Sequence, residues 1–116
     1  MKYMLLIYHA EPTGPMTESP EFREMTQEYF ALNERMKADG VYVAGDALQP
    51  TATATVLKVR DGKPETMDGP YAETKEQLGG YYIVDCADLD QALEYAAMIP
   101  AARFGQVEVR PLVVFG

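Results

Sequence analysis

The sequence is short of the residues from which many functional sites are built. Its 116 residues include no tryptophan, one histidine and one cysteine, Cys86. A single cysteine excludes an intramolecular disulfide, and one histidine with one cysteine leaves too few ligands for the usual zinc sites. We therefore expect no metal and no cofactor, a small packed side chain at Cys86, and a cytoplasmic location.

Long apolar runs and clusters of positive charge are also missing. The longest apolar run, residues 4–8, is far shorter than the ~20 residues of a membrane-spanning helix. No cleavage site follows it, so we expect neither a membrane span nor a signal peptide. Ten lysines and arginines stand against 18 acidic residues, which gives a net charge of −8. This balance argues against binding to nucleic acid or to an anionic membrane.

The remaining composition is that of one folded domain. Hydrophobic residues make up 47% of the chain and charged residues 24%. No linker or low-complexity tract divides the chain, so we expect a single domain over residues 1–116. Residues 61–94 hold nine acidic residues and two lysines, a local charge of −7, so the acidity is concentrated in one segment.

The pattern of apolar residues predicts two helices between short strands. Strands are predicted over residues 2–8, 42–48, 53–60, 81–85 and 107–114, with 63–67 as the return arm of a hairpin. The first helix is predicted from an N-cap at Ser19 to Gly40, and the second from Asp88 to Pro100. A short helical turn is expected over residues 73–78. The predicted buried positions of the two helices are Phe22, Met25, Tyr29, Leu32 and Met36, then Leu89, Leu93, Ala96 and Ile99.

This order of elements predicts an α+β fold of the ferredoxin-like, split β-α-β type, with two helices on one face of an antiparallel sheet. Segments 4–7 and 81–84 are apolar without alternation, so both faces of the sheet need cover. Two helices cover one face. We therefore expect a homodimer whose sheets face each other, an apolar ligand cavity on that face, or both together.

A long polar motif follows the hairpin. It reads Asp68-Gly69-Pro70-Tyr71-Ala72-Glu73-Thr74-Lys75-Glu76 and continues into Gln77-Leu78-Gly79-Gly80-Tyr81-Tyr82. With this motif and the flanking segments 2–8, 44–48 and 99–103, the sequence resembles the DGPF-type proteins of the YCII-related family over essentially its whole length. Tyr71 stands where phenylalanine is usual in that motif.

The resemblance implies a ferredoxin-like domain of the dimeric α/β-barrel type. It implies little about chemistry, because most members of the family have no established function. Some DGPF-type proteins are encoded beside, or fused to, extracytoplasmic-function sigma factors. This implies a regulatory context and association with a sigma factor.

The loop of residues 68–76 is the first candidate site. Asp68, Gly69 and Pro70 have the residue types of a turn, and the charges that follow form either a solvated surface or a binding site. The candidate ligand-binding residues are Asp46, Tyr71, Glu73, Lys75 and Arg103, with Lys75 as an anion contact. Alternatively, Arg103 and Arg110 pair with Asp46 or Glu108.

The second candidate is His9, at the end of the first predicted strand. Its functional interpretation is a general base oriented by Asp46 or Asp68, and Asp68 and Glu73 are themselves candidate acids or bases. The alternative is a histidine without a special role. Some YCII-related enzymes are thought to use a His–Asp pair whose histidine lies in the first helix. That helix here offers Glu28, Tyr29 and Asn33 instead, so the pair is not carried over.

Three functional classes therefore remain open. The first is a regulatory or ligand-binding module, sensing a small molecule or acting beside a sigma factor. The second is a cofactor-independent lyase or isomerase that transfers protons through His9, Asp68 or Glu73. The third is a structural dimerisation domain without a ligand. The small number of histidines and cysteines favours the first.

Overall fold

A computed structural model describes residues 1–11 and 19–115. Short 3-10 turns lie at Thr51–Thr53 and Pro100–Arg103. The strands and α-helices of the described residues are β1 (Lys2–His9), α1 (Pro20–Ala38), β2 (Tyr42–Ala47), β3 (Thr55–Arg60), β4 (Lys63–Asp68), β5 (Gln77–Asp85), α2 (Leu89–Ala97) and β6 (Gln106–Pro111).

Four of the strands form one antiparallel sheet in the order β2-β5-β1-β6. This is the strand order of a ferredoxin-like fold. Strands β3 and β4 form a separate two-stranded hairpin, which is inserted in the sequence between β2 and β5. The predicted α+β fold with an antiparallel sheet is confirmed.

The core lies between one face of this sheet and the two helices. The central strands contribute Tyr3, Leu5, Ile7, Tyr82 and Val84, all buried. The helices contribute Leu32 and Met36 from α1, and Ala92, Tyr95 and Ala96 from α2. Because strand side chains alternate, the odd-numbered residues of β1 face the helices and the even-numbered ones face away.

Helix α2 turns a different side to the sheet than the sequence predicts. The sequence pattern predicts Leu89 and Leu93 on the buried side, but both are exposed, and Ala92 and Ala96 are buried beside Tyr95. Alanine on the inner side lets the helix lie close to the sheet, and the single tyrosine fills the remaining volume. The prediction that Phe22 of α1 is buried is likewise wrong, since its side chain is exposed.

The predicted starts of both helices and the predicted end of α1 are confirmed, whereas α2 ends at Ala97, before the predicted stop at Pro100. The Ser19 hydroxyl oxygen accepts a hydrogen bond from the Phe22 amide at 3.1 Å, and Asp88 accepts one from the Gln91 amide at 2.9 Å. Gly40 follows α1 with a φ of 75°, a conformation that favours glycine. No helix of the described chain is both long enough and apolar enough to cross a membrane.

The helical turn expected over residues 73–78 is wrong. Residues 71–76 are irregular, and β5 begins at Gln77 and runs through Gly79 and Gly80. The end of β1 provides the ladder partners, since Tyr8 lies opposite Leu78 and His9 opposite Gln77. Tertiary strand pairing therefore overrides the local preference for a turn.

The second face of the sheet, here called the open face, carries no helix of the described residues. At its centre are the half-buried side chains of Met4, Leu6, Tyr81 and Ile83. Polar residues lie opposite them on the edge strands: Arg110 is paired with Met4, Glu108 with Leu6, and Asp46 with Tyr81. The open face is therefore apolar in the middle and charged at its sides.

Candidate functional site

A cleft of about 530 Å³ lies at the end of the open face where β1 finishes. Its lining residues are Tyr8, Thr74, Lys75, Glu76, Gln106, Val107 and Glu108. Strands β1 and β6 form the floor, where Tyr8 lies opposite Gln106 in the ladder. Residues 74–76, the last three of the nine residues 68–76, form the wall.

Hydrogen bonds from Gln77 and Gln106 hold that wall in place. The Gln77 side-chain amide donates to the Thr74 carbonyl oxygen, and its Oε1 accepts from the Glu11 amide at 2.9 Å. The Gln106 amide donates to Glu76 Oε1, also at 2.9 Å, from the floor of the cleft. The loop is therefore tied both to the end of β1 and to β6.

Glu11 extends this network to the connection after β2. Its two carboxylate oxygens accept hydrogen bonds from the Thr51 amide, at 2.7 Å, and the Thr51 hydroxyl, at 2.9 Å. Glu11, Thr51 and Gln77 are structural supports that the sequence reasoning did not single out. The available signals were weak: Glu11 lies close after His9, and Gln77 directly follows the motif.

His9 lies on the other side of the sheet from the cleft. Because it follows Tyr8 in β1, its side chain projects toward the helix-covered face, where its ring meets that of Phe104 edge-to-face at 6.2 Å. Its Nδ1 lies 3.1 Å from the Ala10 carbonyl oxygen. Among the described residues, no hydrogen bond joins His9 to Asp46 or Asp68, so the predicted pairing with a carboxylate is not formed there.

Two glycines make room for His9. Gly79 is the extra residue of a bulge in β5, and a Cβ added there would lie 2.5 Å from His9 Nε2. A Cβ on Gly105 would collide with the Tyr8 carbonyl oxygen and press on the His9 backbone. The imidazole therefore occupies a slot that exists because Gly79 has no side chain.

Asp46 is engaged on the open face. The Tyr81 hydroxyl donates a hydrogen bond to Asp46 Oδ2 at 3.0 Å across the β2–β5 pair. This bond and the negative charge of the carboxylate raise the pKa of Tyr81. Asp46 thus forms a polar contact beside the apolar centre of the face rather than part of the cleft lining.

The first half of the motif does not line the cleft. Asp68 ends β4, and Gly69 forms the predicted turn with a φ of 99° while its amide donates to the Ala54 carbonyl at 2.8 Å. Tyr71 is 89% exposed, and Glu73 is exposed as well. Of the residues predicted for ligand binding, Lys75 is the one that the structure places in the cleft wall.

Arg103 pairs with α1. Its guanidinium donates two hydrogen bonds to the Glu28 carboxylate, at 2.7 and 3.2 Å. These bonds lower the pKa of Glu28 and raise that of Arg103. The expected partners, Asp46 or Glu108, are therefore wrong for Arg103, and the pair joins α1 to the turn after α2 on the helix side of the sheet.

Residues suited to metal binding are dispersed in the described chain. Within residues 1–11 and 19–115, no group of three or more histidine, cysteine, aspartate or glutamate side chains is placed to hold a metal ion. Cys86 is buried in the core, and this burial raises the pKa of its thiol. The packed role predicted for Cys86 is confirmed.

Fold and cleft together define a small α+β domain of ferredoxin-like topology with an inserted hairpin. The chain belongs to the YCII-related family, whose domain model matches residues 1–116. It is similar to an uncharacterized protein of Rhizobium meliloti (strain 1021), R00369, with 36% identity over 117 residues. The match covers 99% of this chain and 94% of that protein. The DGPF-type motif fits this family.

Proposed function

We propose that the protein is a small-molecule-binding module that works as a homodimer and holds its ligand in the cleft beside residues 74–76. The observation that carries the proposal is the cleft itself, with a floor of paired strands and a wall tied down by Gln77 and Gln106. Its volume of about 530 Å³ lies within the ~300–1,000 Å³ of typical ligand sites.

The lining residues favour a small polar ligand with groups of both signs. Lys75 offers an ammonium group, Glu76 and Glu108 offer carboxylates, and Tyr8 offers a hydroxyl. Because the cleft is lined by one cationic side chain and two carboxylates, it disfavours the binding of a polyanion. A compound with an amino group together with a carboxylate or several hydroxyls fits this arrangement better.

Binding is better supported than proton transfer. A lyase or isomerase needs an acid or base directed at the ligand, but His9 projects to the opposite face of the sheet. Asp68 and Glu73, the other candidate acids or bases, do not line the cleft. A binding role also agrees with the regulatory context, beside a sigma factor, that the family resemblance implies.

The homodimer is supported by the open face. Met4, Leu6, Tyr81 and Ile83 form an apolar centre that no helix of the described chain covers. Packing this face against a second copy would remove apolar surface from water through one self-complementary contact. The cleft opens at one end of this face, so the same contact would help to enclose a ligand.

A thermal-shift screen against a metabolite library tests the binding role. A ligand present at 100 times its dissociation constant stabilises the folded state by about 2.7 kcal/mol, so a true ligand gives a clear rise in melting temperature. The Lys75→Met variant should lose this rise, whereas Lys63→Met, which changes an exposed lysine of β4, should keep it. A compound that raises the melting temperature of Lys75→Met as much as that of the wild type would show that it does not bind in this cleft. A library without any hit would argue against a small-molecule-binding role.

Light scattering after size exclusion tests the assembly. We expect the wild type at micromolar concentration to have twice the chain mass of 12.9 kDa. Leu6→Glu puts a charge at the centre of the open face and should give monomers, whereas Leu93→Glu, on the exposed side of α2, should remain dimeric. A monomeric wild type, or a dimeric Leu6→Glu variant, contradicts the proposed assembly.

A further inference from the structure

The β3–β4 hairpin extends away from the rest of the molecule. Its six-residue strands are joined by Asp61 and Gly62, both with positive φ, and β4 is exposed at every position. The radius of gyration is 16.4 Å, whereas a compact chain of this length has about 13 Å. An isolated two-stranded hairpin is marginally stable in water, so a partner surface would stabilise this one.

The two sides of the hairpin differ in character. Leu57 and Val59 lie on one side, opposite Thr66 and Pro64, and they are 61% and 56% exposed. The other side carries the ion pair of Lys58 with Glu65, at 3.6 Å, next to the apolar pair of Val56 and Met67. The pairs of Leu57 and Val59 contain no charged side chain, so their side, here called the apolar side of the hairpin, is the one that is covered at the lower cost.

A second exposed apolar segment follows β6. Residues 113–115 are Val113, Val114 and Phe115, and the first and last of these are 74% and 90% exposed. The segment continues from Leu112, whose amide donates to the Lys2 carbonyl at 2.9 Å. It therefore leaves the sheet beside the start of β1.

The hairpin and this segment lie at opposite ends of the sheet. The hairpin leaves from the end of β2 and returns to the start of β5, beside the end of β1. About 23 Å of β1 separates that end from Lys2, whereas three residues span at most ~10 Å. The two apolar features therefore do not meet within one copy, although each is suited to cover the other.

Charges on the open face point to the same arrangement between copies. At the end where β1 starts, Lys2 and Arg110 outnumber Asp85, which pairs with the N-terminal ammonium group. At the cleft, Glu76 and Glu108 outnumber Lys75. Two copies related by a two-fold axis perpendicular to their strands would bring the basic end of each onto the acidic end of the other. An axis parallel to the strands would instead bring the two acidic ends together.

The size of the open face adds a third argument. Four strands about 4.8 Å apart and averaging about 24 Å in length give a footprint of roughly 450 Å². Stable interfaces bury ~800 Å² on each partner. The accessible area of the face exceeds this flat footprint because side chains project from it, and contacts outside the sheet would enlarge the interface further. The hairpin and residues 113–115 are exposed apolar surfaces at the two ends of the sheet.

We propose that in the homodimer residues 113–115 of each copy dock on the apolar side of the partner's β3–β4 hairpin, with the strands of the two sheets antiparallel. This inference rests on the dimer proposed above. It adds the relative orientation of the two copies and the contact between residues 113–115 and the partner's hairpin, here called the clasp. When the segment docks in an extended conformation, Val113 and Phe115 share one side of it and face Leu57 and Val59 of the other copy. The exposed apolar side chains of each hairpin are thereby buried against the partner copy.

Disulfide cross-linking tests this clasp. The double variant Leu57→Cys/Val113→Cys, oxidised with oxidised glutathione, should give covalent dimers on a non-reducing gel. A pair held together reacts at an effective concentration in the millimolar range, so at ~10 μM protein cross-linking should be ~100-fold faster than for a pair that meets by collision. The matched control Lys58→Cys/Val113→Cys moves one cysteine to the other side of the hairpin and should react at the slower rate.

The outcomes separate the clasp from the dimer. Fast cross-linking of the Leu57/Val113 pair alone, in a protein that light scattering finds dimeric, supports the inference. A dimer without that cross-link, or one in which Leu57→Cys alone links to itself quickly, overturns the clasp and leaves the dimer standing. A monomer overturns the assembly proposed above, and the clasp with it. The wild type, whose Cys86 is buried, controls for unspecific disulfides.

Discussion

Replacing Tyr82 with phenylalanine removes one core hydrogen bond and keeps the aromatic ring. The buried Tyr82 hydroxyl donates to Asn33 Oδ1 at 2.6 Å. Burial raises the pKa of Tyr82 to about 12, from an ordinary value near 10 in the unfolded chain. The folded state therefore favours the neutral phenol. This contribution to stability is fully present below pH 10 and is lost as the pH rises toward 12.

The size of the effect follows from these two observations. At pH 7 a lost hydrogen bond costs about 1 kcal/mol, and the unpaired Asn33 oxygen, which is half-buried, adds to it, so we expect about 1–2 kcal/mol in all. At pH 11 the phenol has ionised in the unfolded chain and not in the folded one, which costs the wild type about 1.4 kcal/mol. Phenylalanine has no such titration, so the two proteins should become nearly equal in stability at pH 11.

Urea unfolding followed by circular dichroism at pH 7, 9 and 11 measures this difference. Tyr95, whose pKa is raised to about 12 by its hydrogen bond to Asp39, titrates in both proteins and therefore cancels. Tyr71→Phe, at a fully accessible site, is the matched control and should leave stability unchanged at pH 7. A difference between wild type and Tyr82→Phe that stays constant from pH 7 to pH 11 would refute the reasoning.

Further substitutions test the slot of His9 and one helix end. Gly79→Ala should displace the imidazole, seen as shifted His9 ring signals in NMR, and should cost less than about 1 kcal/mol because a side-chain ring can rotate away. Gly105→Ala meets a backbone carbonyl instead and should cost about 3 kcal/mol in urea unfolding; an equal cost for the two glycines would contradict this account. Asp88→Ala removes the cap of α2 and should lower stability by about 1 kcal/mol, and Asp88→Asn should restore most of it.

The fold could be predicted because its signals are local. Ser19, Asp88 and Gly40 mark helix ends through contacts with residues no more than four positions away, and Asp61-Gly62 determines a hairpin by its own backbone angles. The side of α2 that is buried could not be predicted in this way. Leu89 and Leu93 are more apolar than Ala92, but the close approach of helix and sheet selects the smaller side chain.

The candidate site was harder to predict because its contacts are distant in sequence. Glu11 meets Thr51 and Gln77, which lie 40 and 66 residues further along the chain. These hydrogen bonds depend on the register of β1 against β5, including the bulge at Gly79. The same register decides that Tyr8 faces the cleft while His9 faces the helices. Residue type alone favours His9 as the functional group. The alternation of side chains along β1, however, directs Tyr8 and not His9 into the cleft.

The polar motif owes its unusual composition to several structural tasks at once. Its first residues close the turn after β4, and its last ones form the wall of the cleft on the open face. Gln77 then anchors that wall to Glu11, and Gly79 leaves the slot for His9 on the opposite face. One segment thus shapes both sides of the sheet at one end of β1. These tasks account for Gly69, Glu76, Gln77 and Gly79 without a catalytic role for any of them.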